Sequence, residues 1–157
     1  MIRPATFADV PAIARLIRGL ADYERLAHAV ELDEARLRDH LFGPRPYAEV
    51  LLAEDGGAVV GFALFFFNYS TFRSRPGLYL EDLFVVPEAR GRGHGKALFT
   101  AVARRAVEGD CGRMEWAVLD WNAPAIGFYR ALGAAAMDDW TTYRLTGDTL
   151  RAAAGMA

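Results

Sequence analysis

The sequence predicts an α/β fold in which a mixed, mostly antiparallel twisted sheet carries helices on both faces. Apolar strand-like segments alternate with amphipathic helical ones in the order β-α-α-β-β-β-α-β-α-β. Short turns join the three consecutive central strands, so these strands should be antiparallel. The strand after the long helix should run parallel to the strand before it, because a crossover helix joins the two.

The first half of the chain supplies three strands and two helices. Thr6, with Asp9 three residues later, is typical of a helix start, and that helix fades near Tyr23-Glu24. A second helix begins near Asp33. The turn Asp55-Gly56-Gly57 has the composition of a tight hairpin turn. The predicted strands are residues 2–4, 49–54 and 59–69.

The second half continues the alternation. A loop at residues 70–77 leads into a strand, and a long helix covers residues 93–108. Asn122 is a favourable N-cap for a further helix, with Pro124 in its first turn and Gly133 as its C-terminal stop. The predicted strands of this half are residues 78–86, 114–118 and 141–145.

Length and composition predict one globular domain, residues 1–150, followed by a disordered tail at residues 151–157. The net charge of −2 offers no basic stripe for nucleic acid. Cys111 is the single cysteine, which excludes an intramolecular disulfide and a multi-cysteine zinc site, and the three histidines show no metal-ligand spacing, so no metal is expected.

The N-terminus has neither the basic start nor the apolar stretch of a signal peptide. The most apolar window, residues 59–67, is far shorter than the roughly 20 residues that span a bilayer. These two observations predict a cytoplasmic protein that does not bind membranes.

The glycine-rich segment Arg90-Gly91-Arg92-Gly93-His94-Gly95-Lys96 connects a strand to a helix and allows three interpretations. A Rossmann fingerprint needs G-x-G-x-x-G in the first βα unit, and this segment lies past mid-chain with a different spacing. A P-loop needs a hydroxyl residue after Gly-Lys, and Ala97 stands there. The remaining pattern, R-x-x-G-x-G, is typical of a backbone cradle for a pyrophosphate at a helix N-terminus. The alternative is a glycine-rich helix start without a ligand.

Further motifs surround this loop, and together they resemble one family. The chain opens with IRPAT, Tyr23-Glu24 follows the first helix, and YLEDLFV at residues 79–85 precedes the loop. Trp121-Asn122-Ala123-Pro124 and Phe128-Tyr129 follow it. With these motifs nearly the whole chain resembles the GNAT-fold, acetyl-CoA-dependent N-acetyltransferases. It is similar in particular to the diamine (spermidine/spermine, thialysine) acetyltransferases.

The resemblance implies a GNAT fold whose cofactor cleft lies where two parallel strands splay apart. It implies that acetyl-CoA is the cosubstrate, held along its pantetheine part by the backbone of Leu83, Phe84 and Val85. Asn122 and Pro124 would lie near the same arm. The pyrophosphate would be bound by the loop residues Arg90, Gly91, Arg92, Gly93, His94, Gly95 and Lys96.

The chemistry of direct acetyl transfer needs a base and an acid. Glu81 is the candidate base, directly or through a water, because it precedes the cofactor-binding end of its strand. Tyr129 matches the general-acid tyrosine of the family, and a phenol stays protonated at neutral pH. The alternatives are that Glu81 is the polar end of an edge strand and that Tyr129 only packs beside Phe128.

By resemblance, Tyr23 and Glu24 line the amine site, where an acid attracts a cation and an aromatic ring adds cation–π attraction. Asp82 would add negative potential. A helix-end surface pair is the other interpretation of Tyr23-Glu24. Residues 25–30 and the segment after Gly133 carry few acids, so a thialysine-like amino acid or short diamine fits at least as well as a long polyamine.

The sequence therefore predicts an enzyme that acetylates a primary amine of a small molecule. Two other functions stay open: acetylation of a protein N-terminus or lysine, and a non-catalytic acyl-CoA-binding module. Catalytic candidates at both Glu81 and Tyr129 argue against the non-catalytic module, because binding needs only the loop. The resemblance also implies a homodimer, and two-fold dimers are the commonest oligomers.

Overall fold

The computed structural model describes residues 1–156 and contains a five-stranded sheet in the order β1-β2-β3-β4-β5. Neighbouring strands are antiparallel except β4 and β5, which are parallel. The predicted mixed α/β fold is thus confirmed. The strands are β1 (Ile2–Pro4), β2 (Glu49–Asp55), β3 (Ala58–Ser70), β4 (Arg75–Val85) and β5 (Met114–Glu115).

Helices connect and flank the strands. The α-helices are α1 (Val10–Tyr23), α2 (Glu34–Phe42), α3 (His94–Glu108), α4 (Ala123–Ala131) and α5 (Gly147–Ala153). Short 3₁₀ turns precede α1 and α3. Asp33 caps α2 by accepting hydrogen bonds from the backbone N–H groups of Ala35 and Arg36, as its position in the sequence predicted.

The chain divides into two compact units, Met1–Leu119 and Asp120–Ala157. The first unit contains the whole sheet and helices α1 to α3, and the second contains α4 and α5. The assignment of residues 1–150 to one domain stays a prediction.

The first unit buries apolar side chains on both faces of its sheet. On one face, Leu98 and Val102 of α3 pack with Phe65 and Leu80. On the other face, α1 and α2 pack against a second cluster, formed by Ile13, Leu16, Leu20, Leu41, Val50, Leu52, Phe62 and Phe84. Burial of these side chains is the main stabilising contribution to the sheet and its helices.

A bulge in β4 changes which residues face each helix layer. Leu80 pairs with Phe65 and Asp82 pairs with Leu64, so Glu81 is the extra residue on its strand. Leu80, before the bulge, packs in the cluster with α3, whereas Phe84, after the bulge, packs in the cluster with α1. In a regular strand these two residues would lie on the same face, because they are an even number of positions apart. Asp82, two residues before Phe84, therefore lies on the α1 face.

Four predicted boundaries differ from the structure by more than one residue. The strand expected at residues 114–118 covers only Met114–Glu115. Residues 141–145 are not a strand; no strand pairs with them in the described part of the chain, and Tyr143 is 92% exposed. An alternating pattern makes a strand only where a neighbouring strand accepts its hydrogen bonds. The predicted loop at residues 70–77 is shorter, because β3 and β4 stay paired up to Ser70 and Arg75. Residues 151–153, expected in a disordered tail, form the last turn of α5.

An ion-pair cluster joins β1, the start of α1 and β2. The Arg3 guanidinium donates to both carboxylate oxygens of Asp9 at 2.8 Å and to Glu54 Oε1 at 2.8 Å. The backbone N–H and hydroxyl of Thr6 also donate to Asp9. These bonds, with the Arg3 bond first, hold the pKa of Asp9 well below its usual range.

The Asp9→Asn variant is expected to lose about 1.5–3 kcal/mol of the free energy of unfolding at neutral pH, because it breaks hydrogen bonds to a charged partner. Since the pKa of Asp9 is lowered on folding, the wild-type advantage should shrink as the pH falls below about 4. Urea denaturation at neutral and acidic pH measures both effects. Asp148→Asn, at an exposed position, is the control. An equal loss at both pH values would contradict this account.

Candidate active site

Three carboxyl groups come together where the β4 bulge meets the end of α1. The pKa of Asp82 is raised to about 7, first by burial and then by the negative charges of Glu81 and Glu24. The pKa of Glu24 is also raised by burial. Glu24 follows the last residue of α1, and the bulge turns Asp82 toward that helix. The structure thus brings together the three acids predicted for the amine side of the site.

This cluster has two chemical properties. Its negative potential favours a cationic ligand such as an ammonium group. A carboxyl that titrates near neutral pH can also accept a proton at the pH where an enzyme works, which is the requirement for a general base.

The outer edge of β4 is unpaired next to this cluster. Parallel pairing to β5 covers only Leu78 and Tyr79, whereas β4 continues to Val85. On its other side β4 pairs with β3, where Phe84 lies opposite Phe62 and the Val86 N–H donates to the Val60 carbonyl. By the alternation of an antiparallel ladder, the N–H and C=O groups of Leu83 and Val85 point toward the open edge. An extended ligand could pair there as an added strand.

The glycine-rich loop follows β4 and ends in the first turn of α3. Gly91 and Gly93 have φ values of +75° and +84°, which disfavour residues with side chains, and a Cβ at either would meet no atom within 4 Å. Gly93 is the N-cap of α3, and no side chain caps the helix. Open space beside uncapped N–H groups at the positive end of a long helix suits a pyrophosphate, so the residues present fit the nucleotide part of CoA.

Arg90 links this loop to the end of α1. Its guanidinium carbon lies 4.5 Å from the ring centroid of Tyr23 and 5.5 Å from that of Phe84. Its Nε donates to the Val85 carbonyl at 3.0 Å. Arg90 thus contacts both Tyr23, which is predicted to line the amine site, and the open edge of β4.

Two other loop residues contact the β2–β3 hairpin. Arg92 Nη1 donates to Asp55 Oδ2 at 2.9 Å, and His94 Nε2 lies 3.4 Å from the same oxygen. Asp55 is the last residue of β2, directly before the Gly56-Gly57 turn. Lys96 and Gly95, the remaining predicted loop residues, lie in the first turn of α3.

The second unit carries the other predicted residues on α4. Asn122 is the N-cap, and its side-chain oxygen accepts a hydrogen bond from the Ala125 N–H at 3.3 Å. Pro124 lies in the first turn, as expected of a residue without an N–H donor. Tyr129 lies nearly two helical turns after Asn122. Its ring centroid is 5.3 Å from that of Phe128.

Most of the chain matches a known protein family. The model of the Acetyltransferase (GNAT) family matches residues 13–134. The chain belongs to the GNAT family. It is thus an acetyl-CoA-dependent N-acetyltransferase, as the resemblance of its motifs implied.

Among curated GNAT relatives, thialysine N-epsilon-acetyltransferase from Bos taurus is 41% identical, and the match covers 99% of this chain and 97% of the relative. L-ornithine N5-acetyltransferase from Arabidopsis thaliana is 37% identical, with 96% and 86% covered. Among solved structures, an integron cassette protein from V. cholerae superposes with a TM-score of 0.82 at 26% identity, covering 98% of this chain and 96% of that one.

Two features are absent from the described residues, 1–156. No group of three or more histidine, cysteine, aspartate or glutamate side chains in this part of the GNAT chain is placed to hold a metal ion. None of the helices in the same range is long and apolar enough to cross a bilayer.

Two features of the site were not foreseen. The sequence placed Asp55 only in a hairpin turn, and no local pattern indicated that this turn contacts the loop of a GNAT site nearly forty residues away. In the sequence, Asp82 was expected only to add negative potential. Its position on the α1 face could not be foreseen, because that face depends on a bulge. The adjacent acids at Glu81 and Asp82 in an otherwise apolar strand were the available signal.

The raised pKa of Asp82 makes a prediction for stability. Between about pH 4 and pH 7 the folded protein keeps a proton on Asp82 that the unfolded chain has released, so the free energy of unfolding should fall as the pH rises through this window. Asp82→Asn removes this dependence. Its stability relative to wild type should therefore be greater at about pH 8 than at about pH 5 in urea denaturation. A constant difference across the window would contradict a raised pKa.

Proposed function

We propose that this protein transfers the acetyl group of acetyl-CoA to a primary amine of a small molecule, of the size of a thialysine-like amino acid or a short diamine. The observation that carries the proposal is the acid cluster of Glu24, Glu81 and Asp82 next to the open edge of β4. One feature suits a cationic amine and the other an extended pantetheine chain. The whole-length similarity to thialysine and ornithine acetyltransferases supports the same acceptor class.

The donor would be held by backbone groups. Leu83 and Val85 offer hydrogen bonds along the strand edge, Phe84 lies between them, and residues 91–96 offer N–H groups to the pyrophosphate. Acetyl-CoA supplies the thioester carbonyl that the amine attacks. Asn122 and Pro124 begin the helix proposed to lie beside the pantetheine arm.

The acceptor would be bound as an ammonium ion. Glu24 and Asp82 provide negative charge, and the Tyr23 ring provides an aromatic surface that Arg90 already stacks against. Attack requires the neutral amine. Removing a proton from an amine of pKa near 10.4 at neutral pH costs about 4 kcal/mol, so a proton acceptor in the site has a large effect on the rate.

The proposed proton acceptor is Glu81, directly or through a water, coupled to Asp82. Glu81 is exposed at the bulge, where an irregular strand re-aims a side chain away from the ladder. Asp82 is partly buried beside it, and with a pKa of about 7 it can itself accept a proton near neutral pH. Tyr129 is the proposed general acid that protonates the departing thiolate of CoA.

Two further properties belong to the proposal. The protein would work in the cytoplasm. It would act as a homodimer, and the exposed apolar side chains of Met137, Trp140 and Leu145 offer a contact surface in the second unit.

CoA release from acetyl-CoA tests the proposal. Turnover should be seen with thialysine or ornithine and be at least ten-fold lower, as kcat/KM, with spermine or an N-terminal peptide, because residues 25–30 and the segment after Gly133 carry few acids to attract a long polycation. Mass spectrometry of the product checks that acetyl has moved to the amine. Turnover confined to the peptide would replace the small-molecule acceptor with a protein, and binding of acetyl-CoA without any turnover would indicate a sensing module.

A further inference from the structure

The tip of the β2–β3 hairpin places a carboxylate against the glycine-rich loop. Asp55 Oδ2 accepts from Arg92 at 2.9 Å and lies 3.4 Å from His94 Nε2. His94 is the first residue of α3, and its side chain is only 14% exposed. Asp55 itself is partly exposed, at 39%, so its charge faces solvent as well as the loop.

This carboxylate pairs with two of the basic side chains of the loop that could otherwise contact an anion. The hydrogen bond from Arg92, then that from His94, lowers the pKa of Asp55, so the group is anionic at neutral pH. Its charge lies beside the helix N-terminus that suits a pyrophosphate. Like charges close together raise each other's free energy, and a guanidinium that is paired with a carboxylate neutralises less of a phosphate's charge.

We propose that Asp55 sets the affinity of the protein for the nucleotide half of CoA. By holding Arg92 and His94, it weakens the binding of the pyrophosphate and favours release of the product CoA. This inference rests on the proposed function, because it takes residues 91–96 as the pyrophosphate site. It adds a residue outside the loop, on another strand, that acts on the cofactor through the loop side chains.

The test is the Asp55→Asn variant, in which the side-chain oxygen can still accept from Arg92 while the charge is lost. The dissociation constant of CoA, measured by calorimetry at low salt, should fall about two- to five-fold, the range of an exposed ion pair. The gain should shrink at high salt, since salt screens exposed charges. Turnover with S-acetylpantetheine, which has no pyrophosphate, should be unchanged. A purely structural role of Asp55 would affect both acetyl donors alike and would not produce this difference.

Two controls complete the design. Asp110→Asn removes an exposed aspartate that pairs with Arg75 at 3.2 Å, away from the loop, and should leave CoA affinity unchanged. In an Arg92→Gln background, Asp55→Asn should have a smaller effect than in wild type, because part of the coupling runs through the guanidinium.

The outcomes separate this inference from the proposed function. Wild-type protein that neither binds nor turns over acetyl-CoA would overturn the proposed function. Normal wild-type turnover with equal or weaker CoA binding in Asp55→Asn would overturn only the role of Asp55. Equal changes with acetyl-CoA and S-acetylpantetheine would also overturn it, because the effect would then not depend on phosphate.

Discussion

The Glu81→Gln variant is expected to lose about a hundred-fold or more of kcat/KM for the amine while CoA affinity stays near the wild-type value. The amide keeps the size of the side chain but accepts no proton at neutral pH. The bulge leaves Glu81 exposed, so its replacement removes no buried contact. Steady-state kinetics with varied amine, with calorimetry of CoA binding, measure the two quantities.

The control for Glu81→Gln is Glu49→Gln, an exposed acid at the start of β2, which should retain wild-type kinetics. A second readout is the pH profile. In wild type, kcat/KM should fall on the acidic side of about pH 7, where Asp82 becomes protonated. In Asp82→Asn this limb should move away from pH 7, since the carboxyl that titrates there is gone. Full activity of Glu81→Gln, or an unmoved limb in Asp82→Asn, would remove the pair from the proton transfer.

The Tyr129→Phe variant is expected to lower kcat by about a hundred-fold with little change in CoA affinity, because general acids typically contribute at least that factor. The substitution removes the hydroxyl and leaves the ring that lies 5.3 Å from Phe128. Amines with a lower pKa should show the same loss, since the acid acts on the leaving thiolate and not on the amine.

Tyr143→Phe is the matched control for Tyr129→Phe, since Tyr143 lies in the same unit and is 92% exposed. It should have wild-type kcat. Circular dichroism and the unfolding midpoint check that both variants stay folded. Unchanged kcat in Tyr129→Phe would show that Tyr129 only packs beside Phe128, and the acid would have to be sought elsewhere.

The sequence predicted most of the fold because its signals were local. Asp33 capped α2, the Asp55-Gly56-Gly57 turn closed a hairpin, and the helical spacing of α1 buried Ile13 and Leu20 as expected. These features depend on propensity and periodicity within a few residues. The strand expected at residues 141–145 failed because a strand needs a partner, and its alternating pattern does not provide one.

The candidate site was less predictable because it depends on where distant segments meet. The motif YLEDLFV singled out Glu81 and Asp82, but the face of each acid follows from a one-residue bulge that has no signature in the sequence. The pKa of Asp82 depends on Glu24 from another element. The contact of Asp55 with Arg92 depends on the hairpin reaching the loop. Local sequence patterns can identify candidate residues. The orientation, pKa and contacts of those residues depend on which segments lie next to them in the fold.

Competition between amines for a limiting amount of acetyl-CoA tests the central claim most directly. Thialysine, ornithine, putrescine, spermidine and an N-terminal peptide are supplied together, and the acetylated products are quantified by mass spectrometry, so the ratio of products gives the ratio of kcat/KM values. The account predicts that one small amine takes most of the acetyl groups and that Glu81→Gln abolishes its product. Acetylation of the peptide in preference to every small amine would contradict it.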